Sequence, residues 1–178
     1  TRKHGILRDL HDAGLRGRLP EFISNFLANR SFRVCVGACL SEAYDQEMGV
    51  PQGSILSVTL FILKINSIIK CLPAGIRGSL YVDDFLICFR SKTMKSIERQ
   101  LQRCLNSIQT WADENGFQFS KTKTVCMHFS NVNSVHADPD LQLYGESIPV
   151  VAKTKFLGLI LEKNSLSFLT SSISKIDL

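Results

Sequence analysis

The stretch "GSLYVDDFLICF", positions 78–89, constrains this chain more than any other. Beyond Gly78 and Ser79 the run is apolar, yet Asp83 and Asp84 stand side by side within it. An unpaired charge is costly to bury, and an adjacent like charge raises the cost. The conflict resolves if the chain reverses at the aspartates. Residues 79–90 then form two strands, with Leu80 and Val82 sharing a face going in and Leu86, Ile87, Cys88 and Phe89 continuing coming out. The tip presents two carboxylates on a rigid platform. Such hard oxygen donors suit Mg²⁺, which relieves their mutual repulsion. Asp-Asp is also ordinary hairpin-turn chemistry, since Asp tolerates turn backbone and bonds its own amides. The pair therefore has to be read with its surroundings.

Those surroundings mix helices and strands. Residues 5–13 and 20–29 read as short helices separated by Gly14 and Gly17, with Pro20 in a first turn and Phe22, Ile23, Phe26 and Leu27 as an apolar stripe. "SFRVCVG" (31–37) alternates as a strand, with a hairpin partner near 40–48, and "GVPQGS" (49–54) is loop by composition. Residues 55–70 read as a mostly buried helix ended by Pro73 and Gly75. Residues 93–115 carry the clearest helical stripe, from Met94 through Ile97, Leu101, Cys104, Leu105, Ile108, Trp111 and Ala112, with Gly116 as C-cap. "FQF" (117–119) and "TVCMHF" (124–129) read as strands, "LQLYGESIPVV" (141–151) as a hairpin turning at Gly145, and "KFLGLIL" (155–161) as a further strand. Residues 162–178 are polar and serine-rich and predict no element. This order is α+β rather than alternating βαβ.

Composition narrows the class. The chain has 178 residues, 44% hydrophobic and 21% charged, with a formal net charge of +5. A modest basic excess hints at nucleic acid. Most of it lies in residues 1–33, where Arg2, Lys3, Arg8, Arg16, Arg18, Arg30 and Arg33 outnumber Asp9, Asp12 and Glu21; a solvated helical face explains the same charges. The six cysteines form no C-x-x-C pair, and the histidines do not cluster with them, which argues against zinc. Cys88, Cys104 and Cys126 sit among apolar residues as buried free thiols do, which suits a reducing compartment, nucleus and cytoplasm. "ILSVTLFILKINSIIKCL" is interrupted by Lys64 and Asn66, so no membrane span is expected. Thr1 and Leu178 both read as cut ends.

"YVDD" (81–84) follows "GVPQGSILSVTLF" with a helix between, and "SKTKT" and "KFLG" come after it in order. Taken together, these four motifs resemble the reverse transcriptases of non-LTR retrotransposons, of the jockey type, over nearly the whole chain. The resemblance implies a polymerase palm-type antiparallel sheet packed on helices, with part of the fingers: 1–48 as remnant of the fingers, 49–151 as palm, and 152–178 as primer-side hairpin and truncated start of the thumb. It implies an RNA-directed DNA polymerase that transfers nucleotides to a primer 3′-hydroxyl with Mg²⁺. The implied partners are an RNA template, a DNA primer, dNTP and the rest of a retrotransposon polyprotein (fingers, thumb, endonuclease), with no membrane.

Residue by residue, the resemblance makes Asp83 the principal metal ligand and Asp84 the supporting one. Gln52 and Gly53 would pack beside the incoming nucleotide, although a Pro/Gly turn capping the next helix, with Ser54 as N-cap, explains "PQGS" equally well. Lys123 resembles the lysine placed near the leaving pyrophosphate as a general acid, with Lys121 a competing assignment and a surface lysine the plain alternative. Tyr81 either touches the substrates or packs its ring in the core, the second being expected. Phe156, Leu157 and Gly158 resemble the primer-gripping hairpin; their apolar content alone reads as core.

Two departures stand out. Val58 replaces a proline usual in the family's helix, a tolerable relaxation of φ. More seriously, family polymerases use a third aspartate on a strand before "GVPQGS", and no position here matches it, since Asp9 and Asp12 lie in a helical stretch. The chain by itself is therefore expected to polymerise poorly or not at all. A catalytically dead nucleic-acid-binding remnant is the alternative reading.

Overall fold

The structure is a computed structural model that describes residues 3–46, 49–51, 53–129, 137–163 and 171–177. It divides into two compact units, Thr1–Ser67 and Ile68–Leu178. Segment 49–54 thus groups with the N-terminal helices.

In the first unit, α1 (Lys3–Asp12) and α2 (Arg18–Leu27) are short amphipathic helices. Ile6 and Leu10 of one and Ile23 and Leu27 of the other form a buried cluster. Phe22, expected in the α2 stripe, is exposed instead. A ribbon follows. β1 (Ser31–Phe32) pairs with β4 (Tyr44–Asp45), and β2 (Cys35–Val36) pairs with β3 (Cys39–Leu40). Between the two ladders one strand spends residues 33–34 and the other 41–43, so the return strand carries a one-residue bulge. The expected alternation is present, but its apolar residues Phe32, Val34, Val36, Leu40 and Tyr44 stay exposed.

Helix α3 (Ile55–Ile65) runs into a 3-10 turn, Asn66–Cys71. Contrary to the expectation for 55–70, it is not mostly buried. Ser57, Leu60, Lys64 and Ile65 are buried, whereas Ile55, Val58 and Ile62 face outward. Leu60 joins the α1–α2 cluster, with Val50, Leu56 and Leu63 packed against it.

The second unit centres on an antiparallel sheet. β5 (Arg77–Tyr81) and β6 (Asp84–Arg90) form a hairpin, and α4 (Met94–Asn115) packs against β6. The α4 stripe is as expected: Ile97, Leu101, Leu105 and Ile108 are buried, each contributing about 1.5–3 kcal/mol by transfer from water. Gly116, in the left-handed region at φ 69°, ends the helix. Phe117 stacks on Trp111 at 5.2 Å between centroids. "FQF" is not a strand. The Phe119 ring is buried, and its N–H donates to the Tyr144 hydroxyl (3.4 Å) rather than to a ladder.

β7 (Val125–Phe129) follows, then the hairpin of β8 (Gln142–Leu143) and β9 (Glu146–Ser147). The expected strand at 155–161 is itself a hairpin, β10 (Lys153–Phe156) with β11 (Leu159–Glu162), because the chain reverses at Leu157–Gly158. Last comes β12 (Ser171–Asp177), in the stretch where the sequence predicts no element. It runs antiparallel to both neighbours, so the sheet order is β5-β6-β12-β7.

Candidate active site

Strands β5 and β6 register Leu80 opposite Phe85 and Tyr81 opposite Asp84, leaving Val82 and Asp83 as a two-residue turn. The reversal falls one residue earlier than the expected Asp83–Asp84 tip, so Asp84 opens β6 instead of sharing the turn. Phe85 and Ile87 are wholly buried and anchor the outgoing strand, while Asp83 is exposed and Asp84 half-buried. In β6 the residues alternate, so Asp84 stands on the face opposite Phe85 and Ile87. Two further expectations fail here. Val82 is in the turn and 49% exposed, so it does not face the core with Leu80. Tyr81 is 62% exposed, so its ring is not packed in the core; one position from the tip, it faces solvent beside Asp84.

Val82 has φ 54°. A β-branched residue in the left-handed region is strained, because its Cβ substituents crowd the backbone. The other described hairpins put Gly at a turn position of this kind, or combine one such residue with Gly: Gly37 in β2–β3, Tyr144–Gly145 in β8–β9, and Leu157–Gly158 in β10–β11. The β5–β6 turn alone among these has no glycine. Strain of this kind persists only where the surroundings hold it, and it concentrates at functional sites. Sequence reading missed Val82 because it assigned the residue to a strand.

Register extends the site across the sheet. β12 sets Asp177 opposite Asp84 and Lys175 opposite both Leu86 and Val125. Two residues before Val125, Lys123 lies in the turn that leads into β7, at the end of the sheet where β12 carries Asp177. Asp83, Asp84, Lys123 and Asp177 thus belong to one end of one sheet. Nothing in the polar segment "SSISKID" marks Asp177 in the sequence.

The two candidate lysines separate cleanly. Lys121 Nζ lies 2.6 Å from Glu146 Oε1 and 5.8 Å from the centre of the Tyr144 ring. It ties the turn before β7 to the β8–β9 hairpin. Lys123 is exposed. Helix α4 holds that hairpin from the other side: Gln102 Nε2 donates to the Gln142 carbonyl (2.9 Å), Gln142 N–H donates to Gln102 Oε1 (2.8 Å), and Tyr144 N–H donates to Gln109 Oε1 (2.9 Å). Burial pushes the Tyr144 phenol up, opposed by the Phe119 N–H and Lys121 and reinforced by Asp113.

In the first unit, Gly53 has φ 90° and open space where a Cβ would stand. Gln52 lies outside the described residues. Ser54 occupies the N-cap position of α3, yet its side chain makes no capping bond. Instead the Ser57 hydroxyl donates to the Pro51 carbonyl. At the other candidate hairpin, Phe156 is buried, whereas Leu157 is exposed with φ 48° and Gly158 has φ 84°. Only the first matches the core reading.

The thiols follow burial. Cys104 and Cys126 are buried, Cys88 half-buried, and Cys35 and Cys39 exposed. Burial pushes Cys104 up to about 12, with Cys71 adding to it. Cys88 is raised by burial and lowered by Arg77, its cross-strand partner. Among the described residues no three acidic, histidine or cysteine side chains are grouped as a metal site, and no helix is long and apolar enough to cross a membrane.

Comparison with known proteins agrees with these motifs. The chain is similar to the RNA-directed DNA polymerase from mobile element jockey of Drosophila funebris, at 27% identity over 86% of this chain and 17% of that protein. Its counterpart in Drosophila melanogaster is 26% identical over 79% of this chain and 16% of that protein. A retrovirus-related Pol polyprotein from a type-1 retrotransposable element R1 of Nasonia vitripennis is 27% identical over 62% of this chain and 28% of that protein. The chain therefore spans less than a third of the length of each of these relatives. No solved structure matches it. Residues 3–161 match the family profile "Reverse transcriptase (RNA-dependent DNA polymerase)", and the chain belongs to that family.

Proposed function

We propose that the chain is the palm, with part of the fingers, of an RNA-directed DNA polymerase that extends a DNA primer on an RNA template within a longer retrotransposon polyprotein acting in nucleus and cytoplasm. The observation that carries the reading is the β5–β6 turn, where Val82 holds a strained backbone between Tyr81 and the two carboxylates.

The donor set fits a divalent ion. Asp83 in the exposed turn and Asp84 at the half-buried start of β6 are hard oxygen donors, and Mg²⁺ is held by one or two carboxylates together with substrate phosphates and water. Bound there, the ion would supply charge neutralisation for the triphosphate and the primer oxygen. The protein's own part is positioning. Phe85 and Ile87 lock β6 so that the carboxylates do not drift, and in phosphoryl transfer such placement is most of catalysis. Lys123, at the same end of the sheet, is the proton donor to the leaving pyrophosphate, since Lys121 is engaged by Glu146. Segment 49–54, with Gln52 and Gly53, borders the nucleotide, and the β10–β11 turn, Phe156 to Gly158, borders the primer.

Primer extension tests this reading. A longer protein that includes the sequence upstream of Thr1 extends a primer with Mg²⁺ and dNTPs. Asp83→Asn lowers extension at least a thousandfold, Lys123→Ala less, and the 178-residue chain alone extends poorly or not at all. Undiminished extension by Asp83→Asn refutes the assignment.

A further inference from the structure

Lys64, on the apolar helix α3, is 1% exposed, more deeply buried than any other charged residue described. Its Nζ lies 2.8 Å from Asp9 Oδ2 on α1, and Asp9 is itself largely buried. The partners are otherwise starved. Neither Nζ nor Oδ2 has a further hydrogen-bonding partner among the described residues. Room for the ammonium comes from Gly5: a Cβ there would stand 3.2 Å from Nζ.

A buried pair of this kind is a poor way to gain stability, because desolvation of both charges offsets their attraction. Its physical effect is directional. An apolar side chain at 64 would accept several depths and rotations of α3 against α1. An ammonium with one carboxylate accepts one. Ser57, Leu60 and Lys64 lie along one buried stripe of α3. At its far end, about 10 Å along the axis, Ser57 bonds the Pro51 carbonyl. Leu60 in the middle meets Ile6, Leu10, Ile23 and Leu27, and Val50 packs on the same cluster.

We propose that Lys64 and Asp9 are positioning residues: their ion pair sets the depth and rotation of α3, and through Ser57 sets the backbone at Val50, Pro51, Gly53 and Ser54. The effect on nucleotide use rests on the function proposed above; the mechanical claim does not. A shift of one residue along α3 is about 1.5 Å, enough to misplace a substrate-bordering loop.

Amide hydrogen exchange in the 178-residue chain tests the mechanical claim. In the double variant Lys64→Met/Asp9→Leu, the unfolding midpoint in urea stays the same or rises, while exchange at Val50, Gly53 and Ser54 accelerates at least tenfold. Unchanged exchange at these amides overturns the proposal. Should the double variant not fold, Asp9→Asn keeps an acceptor for Nζ and removes its charge. Acceleration confined to 49–54 then supports positioning, whereas uniform acceleration over α1, α2 and α3, or none, shows a merely structural pair and overturns it. In a primer-extending longer protein, the same variants raise KM for dNTP severalfold with kcat nearly unchanged. Faster loop exchange with unaltered KM keeps the positioning role and removes the nucleotide from that loop.

Discussion

Val82 occupies in the β5–β6 turn the place that Gly37 occupies in the β2–β3 turn. Each is the first of two central residues, with φ of 54° and 60° respectively. Glycine takes that conformation freely, whereas an L-residue costs roughly 1–2 kcal/mol there. Val82→Gly therefore leaves folding stability unchanged or raises it by up to about 1 kcal/mol, the gain being trimmed by glycine's backbone entropy. Urea unfolding measures this. A loss above about 1 kcal/mol means the turn is not strained. In the longer polymerase the same variant lowers extension, because a freer tip holds Asp83 less firmly.

Gly78 faces the opposite constraint. A Cβ on it would lie 2.6 Å from Leu72 Cδ1 and 3.3 Å from Phe85. Gly78→Ala overpacks the face that seats β5 against β6, and costs about 1–3 kcal/mol. A neutral result in urea unfolding contradicts that packing.

Gly5 and Lys64 are coupled. Replacing a helix-interior glycine by alanine normally gains up to about 1 kcal/mol. In this chain Gly5→Ala gains nothing, because the new methyl crowds Nζ against Asp9. The gain returns in the Lys64→Met/Asp9→Leu background, and a thermodynamic cycle reads the difference. Lys64→Met alone costs about 3–5 kcal/mol, since it strands a buried carboxylate.

Cys104 makes stability fall at high pH. Its thiol ionises near 9 in the unfolded chain and about 12 in the folded one. Above pH 9 the unfolded state holds fewer protons, so unfolding becomes easier as pH rises, by up to about 4 kcal/mol across the window. Cys104→Ala flattens that part of the pH profile. A thiol reagent at neutral pH labels Cys35 and Cys39 first, and labels Cys104 and Cys126 only on unfolding.

Much of this was legible in the sequence, for definite reasons. Helix α4 carries a strict 3.6-residue stripe and a terminal glycine, both local signals. The reversal at Asp83 is legible because charge cannot continue through an apolar strand. What depends on distant partners was not. Lys64 looks like an interruption until Asp9, on another helix, meets it. The ion pair that engages Lys121 needs Glu146, on the β8–β9 hairpin. β12 has a polar sequence and becomes a strand only through β6 and β7 on either side. The ribbon from Ser31 to Asp45 shows that alternation reports strand geometry and not burial, since Val36 and Leu40 stay exposed.

Whether the Asp83–Asp84 tip takes a divalent ion is settled most directly by titrating the ¹⁵N-labelled chain with Mn²⁺ and recording which amide signals broaden. The account predicts broadening centred on Tyr81 to Phe85, competed by Mg²⁺ and abolished in Asp83→Asn/Asp84→Asn. Broadening elsewhere with these amides untouched, or broadening that survives the double substitution, contradicts it.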